Sequence, residues 1–257
     1  MSDPLTAPDP SVRLDGRVAL VTGATRGLGL AIARKLCASG CDVILNYAHS
    51  DKDADEALRG LAGLRGTALT MRADMTARDA VARLLGAIRR RFGRLDVFVH
   101  NAASWRPMPA IRPDVAALHG DVAAALNPLL FAAPAFEGLM GDDGRVIAVS
   151  SVGAHSVIPM YVSLGVAKAA LESLVRYLAV ELGPHGVTVN GVSTTKLDKG
   201  PDTPNPEAIR FLARRTPAGR LTTPEDVAAV VALLSTGEAA WINGQVINVD
   251  GGLGLLS

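Results

Sequence analysis

Residues 17–29 read RVALVTGATRGLG. The apolar run Val18–Val21 has no polar alternation, as expected of a strand covered on both faces. Directly after it come Gly23, Gly27 and Gly29, and then a stretch of helical character. Glycines at such a corner permit a tight turn and let backbone N–H groups approach a pyrophosphate. The helix that follows turns its positive end to the same point. A glycine-rich stretch alone is weak evidence. Between the first strand and first helix of an alternating chain it is specific, and its alternative is a merely structural strand–helix turn.

Working outward, six more short apolar runs follow: DVILNY, TALTMR, LDVFVHN, RVIAVSS, VTVNGVS and QVINVD. Helical patterning fills the gaps near 27–39, 52–64, 76–92, 113–140, 160–183 and 224–235. Strands alternating with helices predict a single-domain α/β fold of Rossmann type. Its doubly wound parallel sheet has about seven strands, helices on both faces, and a ligand site beyond the carboxyl ends of the strands. Residues 1–14 are polar and proline-containing and read as a disordered lead-in, which leaves the domain at 15–257. The stretch TTKLDKGPDTPNPEA breaks the rhythm and predicts a mobile substrate loop near 194–215, placed to cover the cleft.

The 257 residues are 49% hydrophobic, enough for a sizeable core, and carry a net charge of +1. Nothing global therefore points to nucleic acid or an anionic membrane. No uninterrupted apolar run approaches the roughly 18 residues of a membrane span. The polar start lacks the basic and apolar segments of a signal peptide. Cys37 and Cys41 have neither redox nor zinc spacing and suit free thiols in a reducing cytoplasm. The five histidines lack ligand spacing, so no metal site is expected. Arg89, Arg90, Arg91 and Arg94 form a basic run, either a solvated helix end or a seat for an acidic carrier protein.

At the end of the second strand, NYAHSDK offers no prompt acid for the adenosine ribose; the first is Asp51. Arg26, His49 and Lys52 can instead meet an extra phosphate, which favours NADPH over NADH. Asp74 is a candidate for the adenine amino group, or a simple helix cap. Asn101 in HNAAS is a candidate for the adenosine end, or a local turn bond. Leu28, Met75 and Ala102, beside these residues, complete the expected cofactor contacts.

Tyr161 and Lys168 lie seven residues apart in MYVSLGVAKAALESLVRYLAVEL. At 100° per residue that step returns within about 20° of the same helix face, about 10.5 Å along the axis. Both side chains then look into one cleft as a candidate proton-delivery pair. Four residues before Lys168 stands Leu164, which carries no proton. The bland alternative for Tyr161 is a core or interface tyrosine.

Taken together, TGATRGLG, Asp74, HNAAS, the AVSS strand end and the tyrosine–lysine helix resemble the short-chain dehydrogenase/reductase superfamily over roughly residues 15–255. Most members place the tyrosine four residues before the lysine. The longer step, with GRLDVFVHNAAS, KAALESLVRYLAVEL and RTPAGRLTTPEDV, resembles the NADPH-dependent third type of bacterial enoyl-acyl-carrier-protein reductase. The resemblance implies a homotetramer built by the two long helices. It also implies an acyl thioester substrate, on a carrier protein or coenzyme A. Ser151 falls where other enoyl reductases carry a second tyrosine, and joins Tyr161 and Lys168 as a candidate catalytic residue. There are departures. The asparagine of the usual proton relay falls at Ala125, with Asn127 about 200° further round the helix. Thr194 and Thr195 replace a Pro-Gly pair, and Lys199 stands where a threonine would hold the nicotinamide amide.

The expectation is an NADPH-dependent enoyl thioester reductase of fatty-acid or specialised metabolism. A ketoreductase of a polyketide or other specialised pathway, and a catalytically weak nucleotide-binding protein, remain as alternatives.

Overall fold

Seven strands form one parallel sheet: β1 (Val18–Thr22), β2 (Asp42–Tyr47), β3 (Ala68–Arg72), β4 (Val97–His100), β5 (Arg145–Ser151), β6 (Thr188–Thr194) and β7 (Val246–Val249). Their order is β3-β2-β1-β4-β5-β6-β7 in this computed structural model, which describes residues 12–200, 203 and 206–256. The helices are α1 (Gly27–Ala38), α2 (Asp51–Leu61), α3 (Arg78–Phe92), α4 (Val115–Phe136), α5 (Val162–Leu182), α6 (Pro206–Arg215) and α7 (Pro224–Leu234). β1 pairs with β2 on one side (Thr22 opposite Asn46) and with β4 on the other (Val21 opposite Val99). The winding reverses between β1 and β4, so a crevice opens there at the carboxyl ends of the strands.

The two-sided cover explains the unbroken apolar strands. Ala19 and Val21 point into a core shared with Ile32 and Leu36 of α1 and Val227 and Val231 of α7. Val18 and Leu20 point into the opposite core with Leu84 and Ile88 of α3, Leu129 of α4 and Leu171 of α5. Both sets obey the period of two, but neither meets water, so the sequence shows no alternation.

Two readings of the chain are corrected by the fold. Val12 and Leu14, counted in the lead-in, are buried in the first core, and Leu14 N–H bonds the Ser39 carbonyl; residues 1–11 lie outside the described residues. The second half of the segment read as loop is α6, which has proline at its start, Glu207 in its first turn and Arg214 and Arg215 in its last. Those charges suit the helix dipole. By length and composition alone α4 could cross a membrane, although His119, Asp121 and Asn127 interrupt its apolar run. Here it lies against α5 and α3 with Asp121 fully buried. Arg89–Arg91 end α3, which runs back against the strands, so they and Arg94 stand at the opposite end of the sheet from the crevice.

Candidate active site

The glycine turn is built as its sequence requires. Gly23 and Gly27 have φ of +61° and +54°, which disfavours any side chain. A Cβ on Gly29 would stand 2.2 Å from the Gly23 carbonyl oxygen. That close approach leaves a cradle that only glycine permits. Asn101 Nδ2 ties it shut, donating to the carbonyls of Thr22 (3.0 Å) and Gly23 (3.2 Å). The local bond is thus the one made, and Asn101 acts on the turn itself. Ala102 N–H donates to Thr22 Oγ1 at 2.9 Å and packs on Gly23, while Leu28 leans on the first core.

Thr22 and His100, which the sequence reading passed over, connect this turn to α4. Thr22 Oγ1 accepts from the N–H groups of Asn101 and Ala102, so its own hydrogen is left for His100 Nδ1 at 3.4 Å. His100 Nε2, 2.8 Å from the Ala125 carbonyl, must then carry the ring proton. Burial, with the charge of Lys168 adding to it, pushes His100 down to about 3, so the ring is neutral. A histidine directly before Asn101 at a strand end was the available signal, and scattered spacing hid it.

At the end of β2, Asn46 turns inward, donating to the carbonyls of Met71 and Ala73. The first acid, Asp51, is already engaged by the Tyr47 hydroxyl and by Arg72, another residue missed in the sequence. Arg26 is the exposed N-cap of α1 and His49 is exposed beside Asp74, while Lys52 points to Glu56. Asp51, the first carboxylate after β2, is thus turned to Tyr47 and Arg72 rather than left open to ribose hydroxyls. Asp74 accepts from the N–H and hydroxyl of Thr76 in a local turn rather than capping α3, whose N-cap is Ala77, and those bonds hold its carboxyl below the usual range. Met75 buries its side chain in the second core, leaving only its backbone towards the crevice.

Tyr161 is the N-cap of α5, and its carbonyl accepts from Gly165 N–H, so it stays nearly in helical register. Its hydroxyl donates to Ser151 Oγ at 3.3 Å. Ser151 Oγ also accepts from Gly153 N–H, and neither bond uses the serine's own hydrogen. The Trp105 ring lies 5.7 Å from that of Tyr161, and Met108 bridges to it from the segment after β4. Burial pushes the phenol up and the Ser151 bond draws it partly back, so Tyr161 holds its proton at neutral pH. Lys168 is buried, donates to the Val149 carbonyl at 2.6 Å, and is brought by burial down to about 8. Leu164, one turn before Lys168, is buried against Ala125 and Ala167, and Asn127 points away to the Thr76 carbonyl.

Beside Tyr161 opens a cavity of about 510 Å³ with apolar walls that include Met108, Ile158, Met160 and Val166. Across the crevice, Thr195 Oγ1 is buried past the end of β6 without a partner among the described residues, and Lys199 is exposed. The glycine cradle and this orphaned hydroxyl fit a dinucleotide laid across the strand ends.

A family model described as Enoyl-(Acyl carrier protein) reductase matches residues 23–254. The 1-cyclohexenylcarbonyl-CoA reductase of Streptomyces collinus is 35% identical over 251 residues, 94% of this chain and 88% of that one. Hydroxynaphthalene reductase-like protein Arp2 of Metarhizium robertsii is 34% identical over 93% of this chain and 95% of its own. A short chain dehydrogenase from Burkholderia cenocepacia J2315, solved in complex with NADP, superposes with a TM-score of 0.85 at 31% identity, covering 94% and 99% of the two chains. Agreement along nearly the whole length, on the same doubly wound sheet, makes this chain an oxidoreductase of the short-chain dehydrogenase/reductase family, on its enoyl-(acyl carrier protein) reductase-like side.

Proposed function

We propose that the protein is an NADPH-dependent reductase of enoyl thioesters carried on coenzyme A or an acyl-carrier protein. The observation that carries this reading is the place of Tyr161. It stands at the head of α5, bonded to Ser151, while buried Leu164 fills the position one turn before Lys168. A ketone receives its proton on the oxygen bonded to the carbon that takes hydride, which calls for an acid beside the lysine that holds the ribose. An enoyl thioester takes hydride at the β-carbon and gathers charge on an oxygen two carbons away, which suits an acid set farther off. The apolar cavity beside Tyr161 has the size of a small-ligand site and suits an acyl chain. The name of the Streptomyces relative supports the same class of substrate.

Bound NADPH supplies the hydride. The glycine cradle and the positive end of α1 receive the pyrophosphate. Arg26 and His49, both exposed at this end of the crevice, receive the extra phosphate. Lys168 holds ribose hydroxyls while keeping its bond to Val149. Tyr161, protonated at neutral pH, donates to the developing enolate oxygen, and the free hydrogen of Ser151 gives that oxygen a second donor.

The test is NADPH oxidation with crotonyl-CoA against acetoacetyl-CoA. Turnover of the enoyl substrate supports the reading, and reduction of the β-keto substrate alone overturns it. The second outcome would favour a ketoreductase, in keeping with the name of the Metarhizium relative. We also propose that the protein works as a homotetramer joined through α4 and α5.

A further inference from the structure

A second cluster of buried polar groups lies behind the site, on the side of Lys168 away from Tyr161. Glu172 follows Lys168 by four residues, on the same buried face of α5, about 6 Å along the axis. One carboxylate oxygen accepts from the Ser150 hydroxyl of β5 at 2.5 Å. The other meets Nε2 of His155, also at 2.5 Å. His155 sits just past the short turn Val152–Ala154, with its side chain 68% exposed on the rim of the apolar cavity. A carboxylate this deeply buried is tolerated only when paired and hydrogen-bonded, and here each oxygen has its own donor. Lys168 has one hydrogen bond, to a neutral carbonyl, and burial drives it to shed its proton. Among the described residues, other ionisable groups around this pair are Tyr161 on the crevice side of Lys168, His155 from the loop, and His100 from β4, which is neutral.

We infer that Glu172 is a positioning residue: clamped between Ser150 and His155, it keeps the ammonium of Lys168 charged where the ribose and the acid need it. This rests on the proposed roles of Lys168 and Tyr161. It extends them by giving the exposed His155 a hold on the buried charge.

Glu172→Gln keeps the side chain's volume and its capacity to accept from Ser150, and removes only the charge. With labelled lysine side chains, and only five lysines in the chain, the Lys168 resonance is assignable by its loss in Lys168→Met. Its titration midpoint in Glu172→Gln should fall by about one unit or more below that of the unsubstituted protein. The alkaline limb of turnover on crotonyl-CoA should move down with it. Should Glu172→Gln not fold, His155→Ala, at an exposed position, decides the matter. It strips one donor from Glu172 and frees the carboxylate to leave its place behind Lys168, so the Lys168 midpoint and the alkaline limb of turnover should both fall. Coincident midpoints in the variant and the unsubstituted protein overturn the inference, as does a moved midpoint with an unmoved limb. If neither thioester is reduced, the proposed function fails on its own, and the lysine titration still decides whether Glu172 holds the charge.

Discussion

The hydroxyl of Tyr161 has one partner, Ser151, and a burial that keeps it protonated. Tyr161→Phe should therefore lower turnover by about 10²–10⁴-fold while leaving NADPH affinity nearly unchanged. Lys168→Ala should weaken both together, because one side chain serves the ribose and the charge of the site. Steady-state rates beside fluorescence titration separate the two patterns, and full activity in Tyr161→Phe would remove it as the acid. At the other end of the crevice, NADPH should bind at least about tenfold more tightly than NADH, a difference of about 1.4 kcal/mol. Arg26→Ala should narrow that gap. Equal affinities in the unsubstituted protein would sink the phosphate assignment. The chemistry-bearing types were legible in the chain because a tyrosine and lysine at a fixed step and three glycines after a strand are local patterns. Thr22 and His100 were not, because their roles exist only once β1, β4 and α4 meet.

α7 shows how much of an element its first turn can carry. Thr223 and Asp226 close a reciprocal capping box, and Arg220 grips the same carboxylate with two bonds, at 2.6 and 2.8 Å. The arginine bond, ahead of the opposing effect of burial, holds Asp226 down to about 2. Its contribution is fully present above its ordinary value of 3.8 and is lost as the pH falls through about 2. Asp226→Ala should cost about 1–2 kcal/mol of stability at neutral pH, and urea midpoints of the two proteins should converge towards pH 2. A gap that persists there would mean that packing, not the cap, is responsible. The capping pattern TTPED was readable from the chain. α6 was equally marked, by Pro206 and Glu207 at its start and arginines at its end, but the prolines and charges just before it masked the signal. The start of α5 depends on something no pattern reveals. Met160, at φ +62°, turns the chain into Tyr161, and its carbonyl accepts from Met108 N–H.

For the molecule as a whole, exposed apolar residues are spread over the surface, and the two long helices carry part of them: Leu130 on α4, and Val166, Tyr177 and Val180 on α5. Such surfaces suit burial against copies of themselves. Light scattering at micromolar concentration should return four times the 26.6 kDa chain mass, and Val180→Asp should reduce it. A monomer would overturn the proposal. The buried His100 links stability to pH across both halves of the sheet. Its proton affinity is depressed in the folded chain, so the unfolded chain binds the extra proton between about 3 and 6.5. Stability is full above 6.5 and declines as the pH falls towards 3. His100→Gln should flatten that dependence when urea midpoints are followed from pH 7 to pH 4, and parallel curves would assign the acid sensitivity to other groups.

The alternation of strands and helices apart from α6, the glycine turn and the tyrosine–lysine step were determined by the sequence alone. Each rests on contacts between near neighbours: backbone geometry, the two-residue period of strands, the 3.6-residue period of helices. Only the tertiary structure decided what each polar side chain faces. It turned Asn101 onto the carbonyls of the glycine corner and Asp74 onto Thr76, and sent Met75 into the core. It set Glu172 behind Lys168 with a partner on each oxygen. A hydrogen bond needs its partner within about 3 Å, and these partners arrive from strands and loops far away along the chain, which no local pattern encodes.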